Sequence, residues 1–207
     1  KTIKKRSIKL SKDAIDLCCD IESPLYTFHA GFTVDPKKLG TKFVQNKMMK
    51  KEKSMEIFIE SVIDVIEYAK KYGIKIAIEP NVVEEFNLTN NENKLLLLAD
   101  VDEIKYFSKI FKKKDVGILL DLGHTAVTSH WLNFDKNEFV KTCLDNTVAV
   151  HVSNNNGKKD QHKSLTKNCW QTSQLKLFKN LPITLETMNL NVTQIKNNIK
   201  IAQTSLL

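Results

Sequence analysis

Apolar and polar positions along the chain follow two periods. Five short stretches, Leu25–His29, Ile74–Glu79, Val116–Asp121, Thr147–Val152 and Ile183–Glu186, are dense in apolar and β-branched residues. Their length of about 4–8 residues and their flanking turn residues predict strands. Between them the apolar positions recur at helical spacing. Phe58, Ile59, Val62, Val65, Ile66 and Ala69 form one such stripe. Ser54 is the expected cap of that helix, Lys70 and Lys71 suit its C-terminal dipole, and Gly73 suits the C′ position.

The first helix is expected over Lys1–Glu22, with Ser11 as cap, Ala14, Ile15, Leu17, Cys18 and Ile21 as its apolar side, and Ser23-Pro24 as its stop. Asp100 with Glu103 predicts a capping box for a helix through Lys112. Asp135 with Glu138 predicts another, stapled by Phe134 and Phe139. A short helix is expected over Gln171–Lys179. A last one follows Asn191, boxed by Gln194 and stapled by Leu190 and Ile195, and runs to about Ser205. Gly31–Gly40, Asn81–Asn93 and the turn Asn154–Gly157 read as loops.

Strands that alternate with helices predict an α/β fold with a parallel sheet, either open or closed into a barrel. The two strand parities decide between them. One parity carries Leu25, Thr27, His29; Lys75, Ala77, Glu79; Gly117, Leu119, Asp121; Thr147, Ala149, His151; and Thr184, Glu186. The other carries Tyr26 and Phe28; Ile74, Ile76 and Ile78; Ile118 and Leu120; Val148, Val150 and Val152; and Ile183 and Leu185. The second set is apolar throughout and suits a helix layer. The first is small or polar apart from Leu25 and Leu119, and suits a barrel interior that opens on a mouth. An open sheet covered on both faces would be apolar on both. Bulky neighbours from elsewhere are needed to fill the small interior.

Composition adjusts this picture little. The 207 residues, 42 % hydrophobic and 27 % charged, suit one globular domain over residues 1–207. No stretch approaches the ~20 apolar residues of a membrane span, and no signal-peptide pattern is present. The net charge of +8 concentrates in Lys1–Arg6, Lys47–Lys53, Lys112–Lys114 and Lys158–Lys163. No aromatic residues interleave these runs, so they read as solvated faces rather than a nucleic-acid platform. Cys18, Cys19, Cys143 and Cys169 form no C-x-x-C motif. Reduced, partly buried thiols and a cytoplasmic location are therefore expected.

The chemistry lies at the strand ends. His29, Glu79, Asp121, His151 and Glu186 all sit last, or nearly so, on the polar parity. Clustered buried carboxylates repel one another and lose hydration. The only arginine is Arg6, and Lys75 starts its strand, far from the mouth. A divalent cation answers this charge better than a salt bridge. Mixed carboxylate and imidazole ligation suits Mn²⁺, Mg²⁺ or Co²⁺, with Zn²⁺ the softer option.

These pieces, Thr27-Phe28-His29-Ala30-Gly31, Ile76-Ala77-Ile78-Glu79, Leu120-Asp121-Leu122-Gly123-His124, His151-Val152-Ser153-Asn154-Asn155, Asp160-Gln161-His162 and Thr184-Leu185-Glu186, resemble the xylose isomerase-like TIM barrels in order and placement. That superfamily holds sugar isomerases and epimerases together with endonuclease IV-type apurinic endonucleases. The resemblance implies a (β/α)8 barrel, of which this chain carries the C-terminal five βα units, strands four to eight, with three strands expected upstream of Lys1. It implies one metal on Glu79, Asp121, His151 and Glu186, with Glu79 and Glu186 also serving as acid and base. It places His29, His124, Asp160 and His162 near a small-molecule sugar substrate, and sets loops at the mouth where a homodimer would pack. The loop Lys163–Asn168 lacks the glycine-rich segment expected there. The implied activity is metal-dependent isomerisation or epimerisation of a sugar or sugar derivative. The alternative is zinc-dependent cleavage of abasic DNA, the one reading that makes nucleic acid a partner.

Overall fold

The computed structural model describes residues 2–35, 41–43 and 48–207. The second half of the expected Gly31–Gly40 loop, and Lys47 in the basic segment before the second helix, lie outside them.

Five parallel strands lie in chain order: β1 (Leu25–His29), β2 (Lys75–Glu79), β3 (Gly117–Asp121), β4 (Thr147–Val152) and β5 (Ile183–Leu185). They form a curled half-barrel, part of a TIM barrel. The helices are α1 (Thr2–Asp20), α2 (Lys51–Lys70), α3 (Val101–Ile110), α4 (Leu122–Leu132), α5 (Lys136–Leu144), α6 (Trp170–Gln174) and α7 (Val192–Ser205).

The strand parities divide much as expected. Tyr26, Phe28, Ile76, Ile78, Ile118, Leu120, Val150, Val152, Ile183 and Leu185 all join the large core under the helices. Phe58, Val62 and Ile66 of α2, Ile104 and Phe107 of α3, and Phe139, Val140 and Cys143 of α5 complete it. On the concave face Ala77, Leu119 and Ala149 form a smaller cluster with Leu25 and Val148.

Val148 is a correction, and its cause is a β-bulge. The β3–β4 register shifts between Ile118, paired with Thr147, and Leu119, paired with Ala149, so Val148 is left over. Thr147 is consequently turned to the helix layer, where its hydroxyl donates to Cys143 O at 3.0 Å. Val148 packs inward instead. A Cβ on Gly117 would lie 2.4 and 2.5 Å from the two Val148 methyls. The glycine on β3 and the bulged valine on β4 therefore form one packing unit, and Val148 supplies part of the bulk that the interior otherwise lacks.

Several helix boundaries also differ. Ser11 lies inside α1 rather than at its start. Helix α2 begins at Lys51, and Ser54 donates back to Lys50 O from its first turn instead of capping it. Helix α3 ends at Ile110, two residues before the expected end. Asp100 accepts from Glu103 N as expected, but the Glu103 carboxylate accepts from Ala99 N rather than from the cap residue. Asp135 caps α5 through Asn137 N, and Glu138 reaches Lys105 of α3 instead of closing a box. The Phe134–Phe139 staple is present, with rings stacked at 5.3 Å. The Asn191–Gln194 box is complete. The expected Gln171–Lys179 helix is α6 followed by a 3-10 turn over Leu175–Phe178.

Helix α4 was not anticipated. Its residues give no amphipathic signal because both sides are buried: Leu122–Ser129 are covered throughout. A helix that is apolar or small all round shows no stripe. Gly123 and His124 sit in its first turn.

Candidate metal centre

The C-terminal ends of the strands lie level. His29 pairs with Glu79 across β1–β2, and Asp121 pairs with His151 across β3–β4. Glu186 follows β5, and its N–H donates to Val152 O at 3.1 Å, extending the ladder by one residue. Alternation then turns Glu79, Asp121, His151 and Glu186 onto the concave face together.

One side-chain atom from each of these four lies within 4.8 Å of the other three. Those atoms have no hydrogen bond. Glu79 Oε1, Asp121 Oδ2, His151 Nδ1 and Glu186 Oε2 are all buried and unsatisfied. His151 Nδ1 stands 3.3 Å from Glu186 Oε2, 3.6 Å from Glu79 Oε1 and 4.0 Å from Asp121 Oδ2, so the ring nitrogen sits among three carboxylate oxygens without bonding to any. Buried polar atoms are almost always paired. Four orphans aimed at one point fit a cation, and three oxygens with one imidazole nitrogen form a donor set that divalent ions accept.

Asp121 serves two partners. Its Oδ1 caps α4 by accepting His124 N–H at 2.7 Å, which leaves Oδ2 for the cluster. Gly123 allows this tight turn, since a Cβ there would lie 2.7 Å from Ser153 Oγ and 3.0 Å from Asp121 Oδ1. The same helix start places His124 beside the carboxylates. Its Nδ1 is 3.4 Å from Glu79 Oε1, and its Nε2 is 3.3 Å from Asp160 Oδ2. His29 stacks on it with centroids 5.7 Å apart and stands 3.5 Å from Glu79 Oε2, on the open rim. Asp160 Oδ2 also meets His162 Nε2 at 3.0 Å, and His162 Nδ1 lies 2.9 Å from Glu186 O. Every expected site residue is thus in one connected group.

The electrostatics carry the same message. Burial pushes the Asp121 carboxyl up from its ordinary value. Burial also disfavours a charged His151 ring, but Glu186 and Glu79 outweigh it and raise the group to about 10. Burial opposes the charge on His124 as well, and Asp121, Asp160 and Glu79 outweigh it, again to about 10. The Glu186 carboxyl is held well below the usual range, chiefly by His151. Without a metal, protons on the imidazoles supply the positive charge that the carboxylates require. Among the described residues the ion-pair partners of Glu79, Asp121 and Glu186 are all histidines. Lys75 bonds Lys113 O instead, at the other end of its strand.

A family model for the xylose isomerase-like TIM barrel matches residues 1–205. The chain belongs to that family. Among solved structures, a D-tagatose 3-epimerase-like protein superposes with a TM-score of 0.71 at 20 % identity, covering 100 % of this chain and 73 % of that one. D-psicose 3-epimerase from Clostridium cellulolyticum H10 gives 0.65 at 12 %, covering 99 % and 72 %. An AP endonuclease, family 2, from Brucella melitensis gives 0.56 at 14 %, covering 90 % and 65 %. At these identities the likeness speaks for the fold. No curated protein sequence matches the chain.

In this family member the centre is braced by residues that the sequence pattern did not single out. Glu84 Oε1 accepts the Asp160 N–H at 2.8 Å, tying the loop after β2 to the loop after β4. Asn155 Nδ2 donates to Gly123 O at 2.9 Å and ties that second loop to α4. Asn81 Nδ2 donates to Ala30 O, Gly31 O and Leu97 O. Each contact joins residues 16 to 76 positions apart, so no local signal could mark them. His162 also holds a left-handed backbone, φ 47°, which a non-glycine residue adopts at a cost. Its ring lies between Asp160 Oδ2 and Glu186 O, which hold it in place.

Proposed function

We propose that the protein is a divalent-metal-dependent isomerase or epimerase of a sugar or sugar derivative. The observation that carries this reading is the convergence of four buried, unbonded donor atoms from Glu79, Asp121, His151 and Glu186. These four residues would hold one ion, with Mn²⁺, Mg²⁺ or Co²⁺ favoured over Zn²⁺ by the oxygen-rich set. When bound, such an ion supplies Lewis-acid polarisation of substrate oxygens.

The chain's own groups then account for the proton transfer. Glu79 at the end of β2 and Glu186 after β5 approach the same point. One takes a proton from the carbon beside the substrate carbonyl, and the other returns it. The structural matches named for sugar epimerases support this substrate class. His29 offers a ring nitrogen at the open rim for substrate hydroxyls, and His124, buried between Glu79 and Asp160, stands behind it to meet the substrate side of the cluster. Asp160 holds His124, and His162 braces both Asp160 and Glu186. Residues 1–207 belong to a single TIM-barrel catalytic domain in this reading, of which they supply the strand ends that carry the cluster. The four thiols, none of them in a disulfide, fit a reducing cytoplasmic setting.

Metal analysis of purified protein is expected to give about one Mn²⁺ or Co²⁺ per chain. Three zinc ions per chain, with nicking of abasic DNA, would move the assignment to the nuclease. Glu186→Gln is expected to slow solvent-proton exchange at the substrate carbon by roughly 10²–10⁴-fold. Exchange that persists undiminished in a folded variant would remove the acid–base role.

A further inference from the structure

The positive charge of the chain is unevenly balanced. Over residues 4–138 lysines meet carboxylates across elements: Lys4 with Glu60, Lys51 with Glu103, Lys70 with Asp115, Lys105 with Glu138. Residues 161–207 carry Lys163, Lys167, Lys176, Lys179, Lys196 and Lys200 but only one carboxylate, Glu186, which is turned to the concave face. Among the described residues none of those lysines has an ion pair.

Three of them surround a groove between α6 with its 3-10 extension and α7. The groove has a volume of about 550 Å³ and is lined by Lys167, Lys176 and Lys200, by Asn197, and by hydroxyl groups including Ser173 and Thr204. Its floor is Ile201, which belongs to the helix-side core, so the groove lies on the opposite side of the sheet from the metal centre. No carboxylate lines it. An anion there would meet three ammonium groups and no competing carboxylate.

We propose that this groove binds a small, multiply charged phosphate ester or oligophosphate. The volume falls within the roughly 300–1,000 Å³ of small-ligand sites. Lysine ammonium groups bind phosphate as point charges. The three lysines are exposed, and exposed charges are screened over about 8 Å at physiological salt; a single phosphate charge is therefore too little, and several charges on one ligand are required. Ser173 and Thr204 now donate to Trp170 O and Lys200 O of their own helices. Those hydroxyls are free to turn to an anion, because helix carbonyls do not depend on them. No aromatic side chain lines the groove, so it offers no base-stacking platform, and single-stranded nucleic acid is the poorer occupant.

The test is calorimetric titration of the metal-free protein, dialysed free of chelator, with inorganic triphosphate. One site per chain is expected, weakening as salt rises. Lys176→Gln and Lys200→Gln are each expected to cost roughly tenfold in affinity. Combined with Lys167→Gln they should abolish binding while the melting temperature stays unchanged. Lys9→Gln, on α1, should have no effect. Binding weaker than about 1 mM, or equal affinity in the triple variant, would overturn the proposal. So would a single-stranded oligonucleotide that binds more tightly than triphosphate in a lysine-dependent way. None of these outcomes depends on the sugar-isomerase reading, since the lysines stand apart from the metal centre.

Discussion

The two faces of the sheet are both buried, and burial means opposite things on them. On the helix side, Phe107, Phe178, Ile76 and Leu120 are covered, with 2 % exposure at most, by other apolar groups. Removing such surface from water stabilises by about 25 cal/mol per Å². At the strand ends Asp121, Glu79 and His124 are nearly as well covered, at 2 %, 6 % and 6 %. There the buried atoms are charged, and several have no hydrogen bond. Burial of that kind costs stability unless a partner arrives. The same sheet therefore has one face that holds the fold together and one whose internal balance is left for a ligand.

The largest expected effect breaks the helix side. Phe107→Ala should cost about 3–5 kcal/mol, read from urea midpoints, and by the same amount with or without metal. A loss confined to the metal-loaded protein would contradict the separation of the two faces. Next comes the mouth. Mn²⁺ at a hundredfold excess over its dissociation constant should add about 2.7 kcal/mol to wild-type stability. Asp121→Asn keeps an acceptor for the α4 cap, so the metal-free variant should unfold close to wild type while the metal increment disappears. An increment that survives would remove Asp121 from the ligand set.

The concave cluster gives a smaller effect. Gly117→Ala drives a methyl into Val148 and should cost about 1–3 kcal/mol. Val148→Ala in the same chain should recover much of it, and strict additivity of the two changes would show that they do not form a unit. The most gradual effect is with pH. The His124 and His151 rings rest well above their ordinary 6.5 in the metal-free fold, at about 10. Their contribution is therefore fully present below pH 6.5 and fades as pH rises towards 10. Metal affinity should run the other way, strengthening as pH rises, because the ion replaces a proton on His151. Denaturant melts of metal-free protein and metal titrations, both across pH 6.5–10, would show the crossing trends; parallel trends would contradict them.

Legibility followed the range of each interaction. Strand positions were readable because alternation is a local rule: every second residue of β2, from Lys75 through Ala77 to Glu79, shares a face. The Phe134–Phe139 staple and the Asn191–Gln194 box were readable because their partners lie within five residues. Helix α4 was not, because its surroundings on all sides erase the stripe that marks a helix at a surface. Nor was the Val148 bulge, which exists in the pairing of two strands and not in either one.

What the sequence determined by itself is the identity of the strands, the parity that faces the helices, and the row of ionisable residues at the strand ends. Those follow from periods of two and of 3.6, which any stretch carries within itself. The tertiary structure alone decided that Glu79, Asp121, His151 and Glu186 leave one free atom each at a common point. It also decided that Asp121 divides its two oxygens between a helix cap and that point, and that Glu84 and Asn155 brace the loops around it. Those are relations between segments brought together by register and curl, and one misplaced residue, such as the bulge at Val148, reverses a face without any mark in the local pattern.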